Sequence, residues 1–208
     1  ANYNGFPTHT VTILDGIKAK VPNTEVIYTL GCNHTENFLM KDLGQCVSSE
    51  KGNGLKSEFF NNTEFKGEPV YSGLAKELHY TTGGNTQFAP NVNLTDFSAR
   101  FTGEFTSPQS GDIEFTISGN DGFRLFIGEE KVAESWTNEY GSTKKYTLRA
   151  EEGKKYPIKI EYMQAKGSAD LNFSIAVRTP VDYQATANEV KDADVIIFVG
   201  GISPRLEG

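Results

Sequence analysis

The chain has 208 residues, enough for one large or two small domains, and 37% of them are hydrophobic, so a sizeable core is available. Its net charge of −7 excludes a nucleic-acid binder, which needs clustered Lys and Arg to neutralise phosphates. No apolar run approaches the roughly 18 residues that carry a helix across a bilayer, so no membrane span is expected.

From Val11 to Val21 the residues Ile13, Leu14, Ile17 and Val21 share one helical face, and Pro22-Asn23 ends the predicted helix. Glu25 to Leu30 reads as a short strand stopped by Gly31. Cys32 and Cys46 either pair or remain two thiols, and no His or Cys cluster near them suits zinc. Residues 43–53 are polar, contain Gly and Ser, and lack periodicity, so they read as a linker.

The middle alternates with period two. Phe97, Ala99, Phe101, Gly103 and Phe105 interleave with polar residues; so do Ile113, Phe115 and Ile117, then Phe123, Leu125 and Ile127. The pattern returns at Tyr146 and Leu148, at Tyr156 to Tyr162, and at Leu171 to Val177. Many short strands, each apolar on one face, argue a β-sandwich or barrel. Asn120-Asp121-Gly122 reads first as a hairpin turn and second as part of an oxygen-rich metal site. Arg124, between apolar neighbours, is expected to face solvent, or to meet a carboxylate or a sugar. Trp136, the one tryptophan, follows Val132 on a predicted strand and is expected in the core, with sugar stacking as the second reading. Tyr140, in the polar loop 137–143, is the more exposed aromatic.

Near the end, Ala185 to Ala193 has helical spacing, and Val195-Ile196-Ile197-Phe198-Val199 reads as a strand buried on both faces. Strand, helix and strand then form one βαβ unit that the middle interrupts. Ligands gather at the carboxyl ends of such strands, where Glu207 sits. The chain opens on Ala1 and stops abruptly at Gly208, so it reads as a piece of a longer protein. Asn33, Asn61, Asn93 and Asn172 open N-x-S/T triplets, which matter only in a eukaryotic secretory protein. His9, His34 and His79 are scattered.

The ends resemble the C-terminal α/β domain of glycoside hydrolase family 3. The resemblance rests on Asn2-Tyr3-Asn4-Gly5, on Val11 to Ile17, on the strand ending at Gly31-Cys32, and on Ala193 through Gly208. The middle resembles the protective-antigen-type ("PA-fourteen") β-sandwich, on Gly111-Asp112-Ile113-Glu114-Phe115 and on Ser118 to Ile127. Together they imply a mixed fold: an antiparallel β-sandwich inserted into a partial α/β parallel-sheet domain. Residues 1–42 and 180–208 form the α/β part, 43–53 the linker, and 54–179 the sandwich.

The resemblance further implies part of a retaining β-glycosidase of β-glucosidase or β-xylosidase type, releasing terminal β-linked sugars. Two carboxylates then flank the bond, about 5–5.5 Å apart. The family nucleophile is an Asp on an N-terminal barrel absent from this chain; the general acid/base matches Glu207. The chain alone is therefore expected to be inactive. Its implied partners are a β-glycoside or oligosaccharide and the rest of the parent enzyme, without a cofactor, in a secreted or periplasmic setting. Three readings of the sandwich stay open: a wall over the sugar site using Tyr140, Trp136 or Arg124; a carbohydrate-binding module without catalysis, with Asn120 and Asp121 as its metal alternative; and a spacer or homodimer contact.

Overall fold

A computed structural model describes residues 9–31, 38–136 and 141–201. The chain separates into two compact units, one of Met40–Arg178 and one of Ala1–Leu39 with Thr179–Gly208.

In the terminal unit, helix α1 spans Ile13–Lys20. Thr12 caps it: its hydroxyl accepts from the Asp15 N–H while the Asp15 carboxylate accepts from the Thr12 N–H, a reciprocal capping box. The Thr12 hydroxyl also donates to that carboxylate at 2.6 Å, and this bond, with the one from the Thr12 N–H, holds the Asp15 carboxyl below its ordinary range. Helix α2, Tyr183–Val190, starts two residues before its expected position because Asp182 accepts from the Ala185 N–H at 2.8 Å. The expected strands at 25–30 and 195–199 are not formed. Both segments lack ladder partners among the described residues, and Val195, Phe198 and Val199 are 75%, 88% and 59% exposed. An all-apolar strand is stable only between neighbouring strands and covering helices, and the described residues supply neither.

The larger unit is built of antiparallel β-strands. Its early strands are β1 (Phe38–Asp42), β2 (Val47–Ser49), β3 (Gly52–Asn53), β4 (Leu55–Phe60), β5 (Tyr71–Ala75) and β6 (Leu78–Thr81). The later ones are β7 (Phe97–Thr106), β8 (Gly111–Gly119), β9 (Gly122–Ile127), β10 (Glu130–Trp136), β11 (Ser142–Ala150), β12 (Lys155–Gln164) and β13 (Asp170–Pro180). One sheet runs β1-β13-β8-β11, with β6 also on β13; the other runs β10-β9-β12-β7-β2-β3, with β4 also on β7 and β5 on β4. Phe97, Ala99, Phe101 and Phe105 point inward from β7 and meet Ile113, Phe115 and Ile117 of β8. Phe105 and Phe115 join the two sheets edge to face, with centroids 5.5 Å apart. Each such fully buried ring contributes about 1.5–3 kcal/mol.

The expected linker 43–53 belongs to the sandwich. Leu43 and Val47 are core residues, Val47 pairs with Phe105, and the Leu43 N–H donates to the Ile175 carbonyl at 2.8 Å. Its polar composition reflects strands only two or three residues long, of which β2 places Val47 inward and β3 is exposed. Cys46, half-buried there, is a free thiol; Cys32 lies outside the described residues.

On the outside of the smaller sheet, Glu114 is nearly buried and accepts from Lys145 at 2.9 Å and Arg178 at 3.1 Å. Burial pushes its carboxyl up, but the bonds and charges of Lys145 and Arg178 outweigh that and hold it below its ordinary value. A depressed carboxyl stabilises the fold above its unfolded pKa, and that contribution vanishes as pH falls through the folded value. Glu114→Gln should therefore lower stability by about 1 kcal/mol at pH 7, because the partners are half exposed. The gap to wild type should close below about pH 4, seen as converging urea midpoints.

Candidate functional site

The outer face of the larger sheet is laid out in rows by the strand register. Trp136 lies opposite Gly122, Gly122 opposite Met163, Met163 opposite Ser98, and Ser98 opposite Phe60. The adjacent row runs Glu134, Arg124, Glu161, Arg100 and Glu58, so charge alternates strand by strand. Opposite charges at directly paired positions contribute about 0.2–1 kcal/mol each. Arg124 Nε donates to Glu134 at 2.8 Å and its Nη1 lies 3.7 Å from Glu161. Hydrogen bonds from Lys131 and Arg124 hold the Glu134 carboxyl below its ordinary range.

Trp136 therefore lies on the outer face of the sheet, half-buried, and not in the core. The cause is a register shift between Lys131 and Ala133. Val132 and Ala133 both pack on the core, after which Ser135 falls opposite buried Phe123 and Trp136 opposite Gly122. One extra residue reverses the parity of everything after it. Gly122 leaves the space that the indole occupies: a Cβ there would come within 3.2 Å of Trp136 Cε3 and 2.9 Å of Met163.

Arg124 packs its guanidinium over the Trp136 ring, 3.8 Å from the centroid. Phe65 stacks on Trp136, with centroids 6.3 Å apart and planes 24° apart. Arg100 in turn lies over Phe65 at 5.2 Å and over Phe60 at 5.7 Å. Phe65 arrives on a strap, residues 61–67, laid across the sheet. Asn62 accepts from the Glu64 and Lys66 N–H groups, and Ser98 Oγ donates to the Asn62 carbonyl at 2.7 Å while accepting from Phe65 N–H. Phe65 itself has φ +59°, a left-handed conformation that a bulky residue rarely adopts. The sequence pattern did not single out Phe60, Phe65 or Arg100. The available signal was a large aromatic inside the polar run Asn61 to Gly67, where no alternation explains it.

Asn120 and Asp121 stand at the sandwich end where Trp136 lies. They do not form a hairpin turn. Gly119 pairs with β11 and β13 of the smaller sheet, whereas Gly122 pairs with β10 and β12 of the larger, so the two residues carry the chain between sheets. Asp121, at φ +56° and nearly buried, accepts from the Ala165 N–H at 2.7 Å and the Lys166 N–H at 3.2 Å. Asn120 donates to the Ser168 carbonyl. Their polar groups thus hold the β12–β13 loop, and among the described residues no group of three or more His, Cys, Asp or Glu is arranged for a metal. Tyr140 and Glu207 lie outside the described residues.

A depression elsewhere on the same face is lined by Ser48, Glu50, Lys56, Glu104 and Lys155. Its charges are already matched, Lys56 with Glu50 and Glu58 and Lys155 with Glu104. The Trp136 cluster is chemically different: flat aromatic faces bordered by guanidinium donors and carboxylate acceptors, the set that polyhydroxylated rings require.

A family model of the PA14 domain matches residues 51–191. The chain is similar, at 35% identity over 100% of its length, to a xylan 1,4-beta-xylosidase of Xylanibacter ruminicola, of which it covers 24%. It is 26% identical, over 93% of its length, to a beta-glucosidase of Rhizobium radiobacter, again covering 24%. The solved structure of a beta-glucosidase from Kluyveromyces marxianus superposes on 89% of the chain with a TM-score of 0.57 and 17% identity, over 24% of that protein, a likeness of fold alone. The chain thus spans about a quarter of the length of the curated relatives it matches.

Proposed function

Because the chain belongs to the PA14 domain family, in a form allied to glycosidases and carbohydrates, we propose that it is part of a retaining β-glycosidase of β-xylosidase or β-glucosidase type. In this reading the sandwich is inserted in an α/β domain and limits which oligosaccharides reach the sugar site. The single observation that carries it is the continuous similarity to the xylosidase, which includes both flanks as well as the sandwich. The fold supports an insertion. β1 and β13 are neighbours in one sheet, so Met40 and Arg178, where the larger unit begins and ends, belong to adjacent strands.

On this reading the unpaired segments 25–30 and 195–199 find their strand neighbours in the rest of the parent, which also supplies the nucleophile. Glu207 is proposed as the general acid/base, protonating the departing oxygen and then activating water. A parent that degrades polymeric glycans works where it meets them, in a secreted or periplasmic setting.

The test is to excise residues 40–178 from the parent and join the flanks by a short Gly-Ser linker. Turnover of an aryl β-xyloside or β-glucoside should stay within about threefold. The preference between a disaccharide and a tetrasaccharide should shift by about tenfold, the worth of one lost specific contact. An unchanged chain-length profile would make the sandwich a spacer.

A further inference from the structure

We infer that the aromatic surface of Trp136 and Phe60, on which the strap residue Phe65 packs, is a pyranose-binding site that Phe65 occupies as a plug. The site rests on the saccharide reading above; to Trp136 and Arg124 it adds Phe65, Phe60 and Arg100 on the outer face of the sheet, which that reading does not assign.

The site is built by register. Trp136 and Phe60 stand at opposite ends of a row whose middle positions are Gly122, Met163 and Ser98. The space over Gly122 is filled by Met163 and Trp136, and Ser98 lies under the strap, so the surface open to a ring is the one Phe65 covers. A stacked pyranose needs a flat apolar face beneath it and hydrogen-bond groups around its rim. Here those groups are Arg124, which rests on the Trp136 ring and is held by Glu134 and Glu161, and Arg100, which lies over Phe65 and Phe60 opposite Glu161 and Glu58 in the register. A xylose or glucose unit would offer hydroxyls that accept from the guanidinium groups and donate to the carboxylates.

Phe65 now takes that place. Its ring lies nearly parallel to the indole, as a sugar ring would, and Arg100 covers it. The strap achieves this only by holding a phenylalanine in the left-handed region. Strained backbone of this kind persists where its surroundings over-determine it, and it clusters at clamps and switches. Withdrawal of Phe65 would release the strain and expose the Trp136 face, so ligand binding and strap movement are coupled. Displacing the plug uses part of the binding energy, which weakens the apparent affinity of the native chain.

Trp136 is the one tryptophan of the chain, so intrinsic fluorescence reads this site directly. The experiment titrates the full 208-residue chain with xylotetraose and, separately, cellotetraose. One of them should shift or quench the emission. Phe65→Asn removes the ring but keeps a residue that accepts positive φ, and should tighten the apparent Kd about tenfold. Should that variant not fold, Phe65→Gly serves the same purpose. Calorimetry on Trp136→Ala should show binding weakened at least tenfold. Two results would overturn the proposal: no emission change and no heat at millimolar sugar with either Phe65 variant, or binding that persists unchanged in Trp136→Ala. The second result would leave the glycosidase reading standing while removing this site, and loss of the chain-length effect on excision would do the reverse.

Discussion

With Glu207 in the proposed acid/base role, its replacement by Gln in the proposed parent glycosidase should reduce kcat/KM for alkyl or unactivated aryl glycosides by roughly 10²–10⁴-fold, the range a general acid contributes. A substrate with a very acidic leaving group, such as a dinitrophenyl glycoside, needs no protonation to depart and should keep its glycosylation rate. Its breakdown step should slow instead, because the same side chain then activates water. Azide, a nucleophile that needs no base, should restore turnover and yield a glycosyl azide of retained configuration. An equal loss on both substrates, with no azide effect, would remove Glu207 from the acid/base role. The amide keeps the size and polarity of the side chain, so a general loss of folding is not the expected outcome. A far-ultraviolet spectrum of the variant checks that point.

The second large effect concerns the crossing between sheets. Asp121→Ala leaves the Ala165 and Lys166 N–H groups without their acceptor and forces alanine to a φ of +56°. The half-buried Ala165 N–H left unsatisfied costs about 1–3 kcal/mol, the exposed Lys166 N–H little because water replaces the acceptor, and the left-handed conformation about 1–2 more. A total loss of about 3–4 kcal/mol is expected, or roughly 6–16 °C in Tm for a chain of this size. Asp121→Asn should lose less than half of that, because its amide oxygen still accepts and Asn tolerates the conformation. Trp136 pairs opposite Gly122, beside the corner, so its emission follows unfolding of this unit in particular. A midpoint within 0.5 kcal/mol of wild type for Asp121→Ala would mean the corner is held by other groups.

Strands β7 to β9 and β11 to β13 were legible because their core positions are large and strictly alternate. Phe97, Phe101 and Phe105 in β7, and Ile158, Ile160 and Tyr162 in β12, all face inward. The early strands were not. β4 places Ser57 in the core and Phe60 outside, and β5 places Gly73 and Ala75 on the inner side, so size no longer tracks burial. Residues 43–53 failed for another reason: strands of two or three residues are too short to display a period. The placement of Trp136 turned on the bulge at Val132, which nothing in the composition announces. The charge ladder on the outer face was also hidden. Glu58, Arg100, Arg124, Glu134 and Glu161 are scattered along the chain, and only register assembles them.

The adjacency of β1 and β13 bears on the order of folding. Two chain ends on neighbouring strands are separated by about one strand spacing, roughly 5 Å. Under the insertion proposed above, the folded guest presents its host with a loop as short as a turn. Before it folds, the same stretch is a long flexible closure, and closing it costs the host extra entropy that grows with its length. Host and guest are then thermodynamically linked although neither needs to touch the other's core. A lesion at the Asp121 corner should lower the stability of the host as well, and stabilising the guest should help the host assemble.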